Sequence, residues 1–329
     1  MPSLHIKAKN IICAAMVSLA VLGSASCGYY WKRSDGFDPD LTKSVVAVIP
    51  KWPGIPRARV GARDAPEGSA VAIMPGGYLV TNAHVLGRAN KVDIRLYDGR
   101  LLAVSIIGRD PKTDLALLKA PIEFPVPPIS KASSIGARVC AVGNQFGLGL
   151  SVTCGVVSAL GRTNAGFNPI EDFVQTDAPI NPGGSGGALF DGSGRLIGIV
   201  SAIFTKNSDA NIGVNFAADI DLVRRVVEDL KAFGRVKIGI PGFRTARLKP
   251  QDRRRWSGVR IVHVNIDGAA AAAGLRVGDI VKHADGRQIF RPSDLRAAIF
   301  LRRPGEKILV RYFRDAGEEQ TLLRLAPVH

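Results

Sequence analysis

Residues 171–190 read EDFVQTDAPINPGGSGGALF. The centre of this stretch, Pro182 to Gly187, has the composition of a flexible linker, but strand-like DFVQTD precedes it and apolar GALF follows it, which places it inside a folded domain. A phosphate-binding loop would continue with Gly-Lys-Ser or Gly-Lys-Thr, and nothing of that kind follows. Glycine permits unusual backbone angles and the close approach of another molecule. Ser185, flanked by glycines on both sides, is therefore the point from which the rest of the chain is read.

Outward from it, residues 44–217 are a succession of short apolar runs punctuated by Gly, Pro, Asn and Asp. Among them are SVVAVI (44–49), SAVAIM (69–74), YLVTNAHVL (78–86), LALLKA (115–120), ARVCAVG (137–143), VTCGVVSAL (152–160) and LIGIVSAIF (196–204). Short strands with turn signals between them predict an all-β sandwich or barrel. A helix follows. Asp219 or Asp221 caps it, Leu222, Val223, Val226, Val227 and Leu230 recur at three- and four-residue steps, and Gly234 stands where it would stop. This connecting helix (219–234) reads as a hinge. Beyond it, residues 235–329 alternate strand-like VRIVHV, KILVRYF and TLLRL with a second helix begun near Ser293 and stopped before Pro304 and Gly305, a small α+β module.

Between residues 34 and 234 there is one histidine, His84. A lone histidine is ordinarily structural. This one is followed 30 residues on by Asp114 in KTDLALLK, and then by Ser185, the chain order His, Asp, Ser of one version of the acyl-transfer triad. A serine hydroxyl is a poor nucleophile near neutral pH, so it needs an adjacent base, and that base needs a carboxylate to set its tautomer. An oxyanion hole needs two backbone N–H groups aimed at one point, and Gly183 and Ser185 are the candidates to supply them. No CxxC or Cys/His cluster occurs, so no metal or other cofactor is expected.

TNAHVL (81–86), TDLALLK (113–119), VGNQFGLGLSVTCGVVSALGR (142–162), QTDAPINPGGSGGALF (175–190) and NIGVNFA (211–217) together resemble the HtrA (DegP/Do-like, DegS-like) serine proteases. The resemblance implies an all-β, chymotrypsin-like double β-barrel protease domain (65–218), with His84 and Asp114 from the first barrel and Ser185 from the second, followed by one α+β PDZ domain (235–329). It implies an ATP-independent endopeptidase acting on unfolded or mislocalised envelope proteins, regulated by C-terminal peptides bound at the PDZ domain and assembled as a homotrimer. One membrane segment with one PDZ domain looks most like the DegS type. The peptide-carboxylate loop matches Lys237, Ile238, Gly239 and Ile240, with Lys237 adding a point charge, and the later run AAAGLRVGDIV supports the match. The specificity-pocket floor falls at Pro179, so no carboxylate there selects Lys or Arg, and Ile212, Val214 and Phe216 are the candidates to line the pocket for small or medium aliphatic side chains.

There are departures from the family pattern. Gly184 stands where the family has Asn, which predicts a more mobile oxyanion loop and a resting enzyme with a collapsed hole. Ala70 follows Gly68 and Ser69 where Gly is usual, and Asn215 replaces a Gly beside the expected pocket. Two competing readings stay open: a non-proteolytic peptide-binding scaffold or chaperone, and a narrow regulatory protease with one membrane signalling substrate.

Of the 329 residues, 44 are Lys or Arg and 28 Asp or Glu, a net +16. Residues 1–33 carry four bases and no acid, residues 34–234 hold 20 bases against 19 acids, and residues 235–329 hold 20 against 9. The excess belongs to the last third, which disfavours a ribosomal or histone-like chain, basic throughout. Within it the run Arg253, Arg254, Arg255, Trp256 reads either as a solvated loop or as a contact for anionic lipid headgroups. No nucleic-acid-binding module is readable. From Ile11 to Trp31 there are 21 residues without charge, preceded by Lys7 and Lys9. This segment (1–33, before a lead-in of 34–64) reads as an inner-membrane anchor, a cleaved signal peptide, or a lipoprotein signal modified at Cys27. Each fate exports the remainder to the periplasm, an oxidising compartment. There Cys140 and Cys154, placed symmetrically about Gly147 in a hairpin, permit a disulfide, though buried free thiols are the favoured expectation.

Overall fold

The computed structural model describes residues 37–51, 67–132, 134–203, 212–315 and 317–328. The expected anchor (11–31), Cys27 and most of the lead-in lie outside the described residues, and among those described no helix is long and apolar enough to cross a membrane.

Six strands, β1 (Val45–Lys51), β2 (Gly68–Met74), β3 (Tyr78–Asn82), β4 (Lys91–Arg95), β5 (Leu101–Asp110) and β6 (Leu115–Lys119), close into a barrel in the order β1-β2-β3-β6-β5-β4. A one-turn helix, α1 (Ala83–Leu86), interrupts the apolar run that the sequence suggested as continuous strand. Strands β7 (Arg138–Gly143), β8 (Ser151–Arg162), β9 (Phe173–Thr176), β10 (Ala188–Asp191), β11 (Leu196–Ile203) and β12 (Asn215–Asp219) close a second barrel with the same cyclic order, β7-β8-β9-β12-β11-β10. The period of two fills each interior: Val46 and Val48, Ala70 and Ala72, Val92 and Ile94, and Ala116 and Leu118 share the first core, while Val139 and Ala141 enter the second. Leu115 and Leu117 point the other way and are still fully buried. Their strand packs on both faces, which is why it reads as a continuous apolar run.

The cysteine expectation is corrected. Strands β7 and β8 pair so that Cys140 stands directly opposite Cys154, with Cα atoms 4.1 Å apart, and the two are joined by a disulfide. Gly147 is the symmetry point of this register, so the equal spacing on either side of it brings the two sulfurs together.

Helix α2 (Ile220–Phe233) begins at Asp219, whose side chain accepts from Asp221 N at 2.9 Å, and ends at Gly234 with φ +68°. Its buried face, Leu222, Val223, Val226, Val227 and Leu230, lies on β5, β6 and β11. The helix read as a hinge is thus packed on both barrels. At Gly108 of β5 a Cβ would come within 2.7 Å of Gly234 O, so only glycine lets the helix end sit this close.

The C-terminal unit is an antiparallel sheet ordered β13 (Phe243–Arg247), β14 (Val259–Val264), β15 (Ile280–Ala284), β17 (Lys307–Arg314), β18 (Gly317–Arg324), with β16 (Arg287–Gln288) paired to β15. The short α3 (Ala269–Ala272) and α4 (Pro292–Phe300) pack on its core, which includes Ile261, Val281, Leu295, Ile308 and Leu323. Pro292 opens α4, where its missing N–H costs nothing.

Polar contacts join this unit to the barrels. Arg287 donates two parallel bonds to Asp172, at 2.6 and 2.9 Å, Arg296 donates to Pro169 O at 3.0 Å, and Arg303 bridges Glu228 and Asp229, each at 2.9 Å. Asp172 is nearly buried, so removing its partner alone would cost about 3 kcal/mol or more, against little for an exposed pair such as Lys43–Asp40.

Asp219 sits beside this junction, and burial together with the neighbouring Asp172 carboxylate pushes its carboxyl up to about 7. A raised carboxyl favours the folded state fully below the unfolded value near 4, and that contribution is lost as pH rises through about 7. Asp219→Asn keeps the capping oxygen without the charge. Its thermal midpoint should exceed that of the parent at pH 8 and converge with it at pH 4, by about 2 to 4 °C for each kcal/mol recovered. Melting curves across pH 4 to 8 that run parallel would exclude this role.

Candidate active site

Asp114 and His84 are zipped together by backbone as well as side chains. Asp114 lies just before β6 with φ +58°, a left-handed conformation costly for a residue with a Cβ. Its carbonyl accepts from Ala83 N at 3.0 Å and Asn82 Nδ2 at 2.9 Å, its Oδ1 accepts His84 N at 2.8 Å, and its Oδ2 lies 2.5 Å from His84 Nδ1. These bonds offset the strain. A carboxylate only accepts, so Nδ1 carries the proton and Nε2 is left as the basic nitrogen. The Asp114 carboxylate is largely buried while the imidazole is half exposed, so the ring is held at its back and open at its front.

Ser185 lies in the turn between β9 and β10. His84, Asp114 and Ser185 line one cleft of about 450 Å³ together with Phe167, Ile180 and Ser201. Ser185 Oγ donates a long bond of 3.5 Å to Ser201 O, and among the described residues no hydrogen bond joins it to His84. A contact that weak leaves the hydroxyl free to turn toward the imidazole once substrate is present.

Five consecutive carbonyls of the glycine loop are engaged. Asn181 O accepts from Gly184 N at 2.9 Å, Pro182 O from Phe146 N at 2.6 Å, Gly183 O from Ser69 Oγ at 2.8 Å, Gly184 O from Gly187 N at 2.9 Å, and Ser185 O from Ser69 N at 2.8 Å. Among the described residues the N–H groups of Gly183 and Ser185 have no acceptor, while Gly184 and Gly186 donate within the fold. Two donors without an acceptor, in a loop whose carbonyls from 181 to 185 are all engaged, remain open to an incoming acceptor. Gly183 has φ +91° and a Cβ there would meet Asn144 O at 2.2 Å, so its glycine is obligatory, whereas at Gly184, outside the left-handed region, a Cβ would lie 3.0 Å from Asn181 O, a tight contact.

Ser69, fully buried on β2, was noticed in the sequence only as part of a departing triplet, and its role emerges only in the fold. Another residue that the sequence reading passed over is Glu171. Its carboxylate, also buried, accepts from four successive backbone N–H groups, those of Ala165, Gly166, Phe167 and Asn168, at 2.6 to 3.0 Å. The loop so wrapped presents Phe167 and Asn168 to the cleft.

The expected pocket residues are displaced from that cleft. Ile212, Val214 and Phe216 line a separate cavity with Arg162, Asn164 and Arg291, and the Phe167 ring, 5.6 Å from that of Phe216, stands on the catalytic side. The described wall beside Ser185 is instead Phe167, Ile180, Asn181 and Pro182. Pro179 does not line it; its carbonyl accepts from Thr153 Oγ1. Asn215 is buried and donates from Nδ2 to Ala178 O at 2.9 Å, bracing β12 against the segment that leads to Ser185.

In the C-terminal unit, Ile238, Gly239 and Ile240 line an apolar groove of about 500 Å³ with Phe243, Leu295 and Ile299, between β13 and α4. Lys237 does not. Its N–H donates to Asp229, its carbonyl accepts from Arg225, and its ammonium lies 3.6 Å from the centre of the Phe233 ring, so it faces α2 rather than the groove. Ile240 N is also committed, to Ala326 O, whereas the N–H groups of Ile238 and Gly239 have no acceptor among the described residues. Replacing Glu171 by Gln should lower stability by about 1 to 3 kcal/mol and speed amide exchange selectively at residues 165–168. Unchanged exchange there would show that the loop holds its shape without the carboxylate.

Comparison with known proteins agrees with this geometry. Residues 68–199 match the trypsin-like peptidase domain family and residues 227–325 the PDZ domain family. The chain is 32% identical to the periplasmic pH-dependent serine endoprotease DegQ of Escherichia coli over 324 residues, covering 96% of this chain and 68% of that one. It is 37% identical to a probable periplasmic DegP-like serine endoprotease of Chlamydia trachomatis, covering 77% and 52%. The chain thus spans about half to two thirds of the length of these curated relatives. Among solved structures it is similar to the HtrA-type protease AlgW with a tripeptide, at 32% identity and a TM-score of 0.69, covering 88% of this chain and 97% of that one. A serine endoprotease from Yersinia pestis gives 31% identity and a TM-score of 0.59 over 88% and 97%. The chain belongs to the HtrA family of trypsin-like serine endoproteases with a PDZ domain.

Proposed function

We propose that this protein is an ATP-independent serine endopeptidase whose catalytic residues are His84, Asp114 and Ser185. The observation that carries this reading is the convergence, in one cleft, of an Asp114-ordered imidazole and the Ser185 hydroxyl, carried on a loop whose Gly183 and Ser185 N–H groups have no acceptor among the described residues. Ser185 Oγ attacks the peptide carbonyl while His84 Nε2 takes its proton. The oxyanion is held by the two N–H groups, each worth about 10² to 10³ in rate. His84 then gives the proton to the departing amine, and water repeats the sequence on the acyl-enzyme.

The substrates are unfolded or mislocalised proteins of the cell envelope, and the compartment is the periplasm, where the named relatives reside. The apolar groove by Ile238, Gly239 and Ile240 takes a peptide C-terminus by strand addition along β13 and regulates cleavage. The run Ile11–Trp31 anchors the chain to the inner membrane, and the active assembly is a homotrimer, for which the exposed Phe146 and Leu148 offer apolar surface.

The parent protein should label at Ser185 with a fluorophosphonate and degrade an unfolded protein such as reduced casein. Ser185→Ala should abolish labelling and lower cleavage by about 10⁴-fold or more. No labelling even with a C-terminal activating peptide, together with client protection that survives Ser185→Ala, would replace this reading with that of a non-proteolytic scaffold. Cleavage of a single envelope protein with casein left intact would replace general quality control with a narrow regulatory role.

A further inference from the structure

The positive charge of the C-terminal unit is concentrated. Arg247, Arg253 and Arg291 line a pocket of about 340 Å³ walled by Leu248, Trp256 and Phe290. This pocket shares no residue with the catalytic cleft or with the apolar peptide groove. Among the described residues none of the three guanidiniums has a carboxylate partner. Arg253 donates from Nε to Leu248 O at 3.1 Å and Arg247 reaches Asn164 Oδ1 at 3.5 Å, both neutral acceptors. The carboxylates adjacent in sequence are committed elsewhere: Asp252 pairs with Arg260 at 3.1 Å, and Asp294 accepts from the backbone N–H groups of Phe290 and Arg291 at 2.9 and 2.8 Å.

Three uncompensated cations on one small pocket repel one another, and an anion relieves that repulsion. Guanidinium forks match phosphate oxygens two at a time, and the Nε bond of Arg253 fixes its fork in advance. The walls specify more than inorganic phosphate. The Trp256 ring has the Arg255 guanidinium 5.1 Å from its centre and the Phe313 ring tilted against it at 4.5 Å, and Phe290 is 56% exposed. A phosphate site edged by exposed aromatic surface suits an amphiphile at a membrane interface. An acidic peptide would require a row of cationic positions, whereas these three share one pocket. The uncharged run Ile11–Trp31, expected to enter a bilayer, favours a lipid over a soluble phosphate as the source.

We propose that the Arg247, Arg253 and Arg291 pocket binds the phosphate of an anionic phospholipid headgroup, with Trp256 and Phe290 seated at its apolar edge. The test uses the full chain in a neutral maltoside detergent, titrated with dihexanoylphosphatidylglycerol, dihexanoylphosphatidylcholine and inorganic phosphate, reading indole fluorescence and the thermal midpoint. The phosphatidylglycerol should bind about ten-fold or more tighter than either competitor, and R253Q/R291Q should weaken it about ten- to thirty-fold. R254Q, whose side chain lies outside the pocket, should bind as the parent does. R253K/R291K, which keeps charge without the fork, should fall between, and guards against a glutamine variant that merely misfolds. The proposal is overturned if inorganic phosphate binds as tightly as the lipid, if an acidic peptide binds in its place, if R254Q weakens binding as much as R253Q/R291Q, or if nothing binds.

Discussion

The nucleophile loop belongs to the second barrel, but its shape is imposed by a serine of the first. Ser69 donates from its backbone N–H to Ser185 O and from its hydroxyl to Gly183 O, while its Oγ accepts from Asn144 N. A loop with glycines at positions 183, 184, 186 and 187 has more conformations to lose on ordering than almost any other sequence. Contacts from outside the loop must therefore select one conformation. Ser69 is fully buried, so each bond it makes replaces a group that would otherwise be unsatisfied in the interior. Phe146 N completes the selection by taking Pro182 O, and the N–H groups of Gly183 and Ser185 are left without an acceptor among the described residues.

The same logic appears on the other wall of the cleft. Asp114 is held left-handed by partners on β3 and α1, and its carboxylate can serve His84 twice because the backbone is held there. Glu171 and Asp172, adjacent in sequence, face opposite neighbours. Glu171 turns inward and wraps the loop that carries Phe167, while Asp172 turns toward Arg287 of the PDZ domain. The loop at the catalytic cleft and the junction with the second domain are thus supported by two consecutive carboxylates. Ile170 carries the connection further, since its N–H donates to Lys112 O and both residues border the apolar PDZ groove.

Much of the fold was readable because its signals are local. The short apolar runs became strands, Asp219 and Gly234 bound the long helix, and the equal spacing of Cys140 and Cys154 about Gly147 anticipated their facing positions. The favoured expectation of free thiols failed because spacing gives opposition across a hairpin but not the Cα separation that permits a bond. Lys237 failed for a different reason. Position in a motif places its backbone, while the nearby Phe233 ring and Asp229 carboxylate decide where the residue faces. Ile212, Val214 and Phe216 were displaced from the cleft by Phe167, an aromatic from another loop.

The +16 net charge shows the same division. Counting residues assigned the excess to the last third of the chain, but pairing separates Arg287, Arg303 and Arg314, which meet carboxylates, from Arg247, Arg253 and Arg291, which meet none among the described residues. By itself the sequence determined the family, the two-part architecture and the three residue types that acyl transfer needs, because residue identity and local spacing are properties of the chain. Only the tertiary structure decided that Ser69 holds the nucleophile loop, which N–H groups stay unpaired and which cations stay free. Those outcomes depend on partners as far as 116 residues away in sequence, and whether a buried polar group is satisfied is settled only when the barrels close.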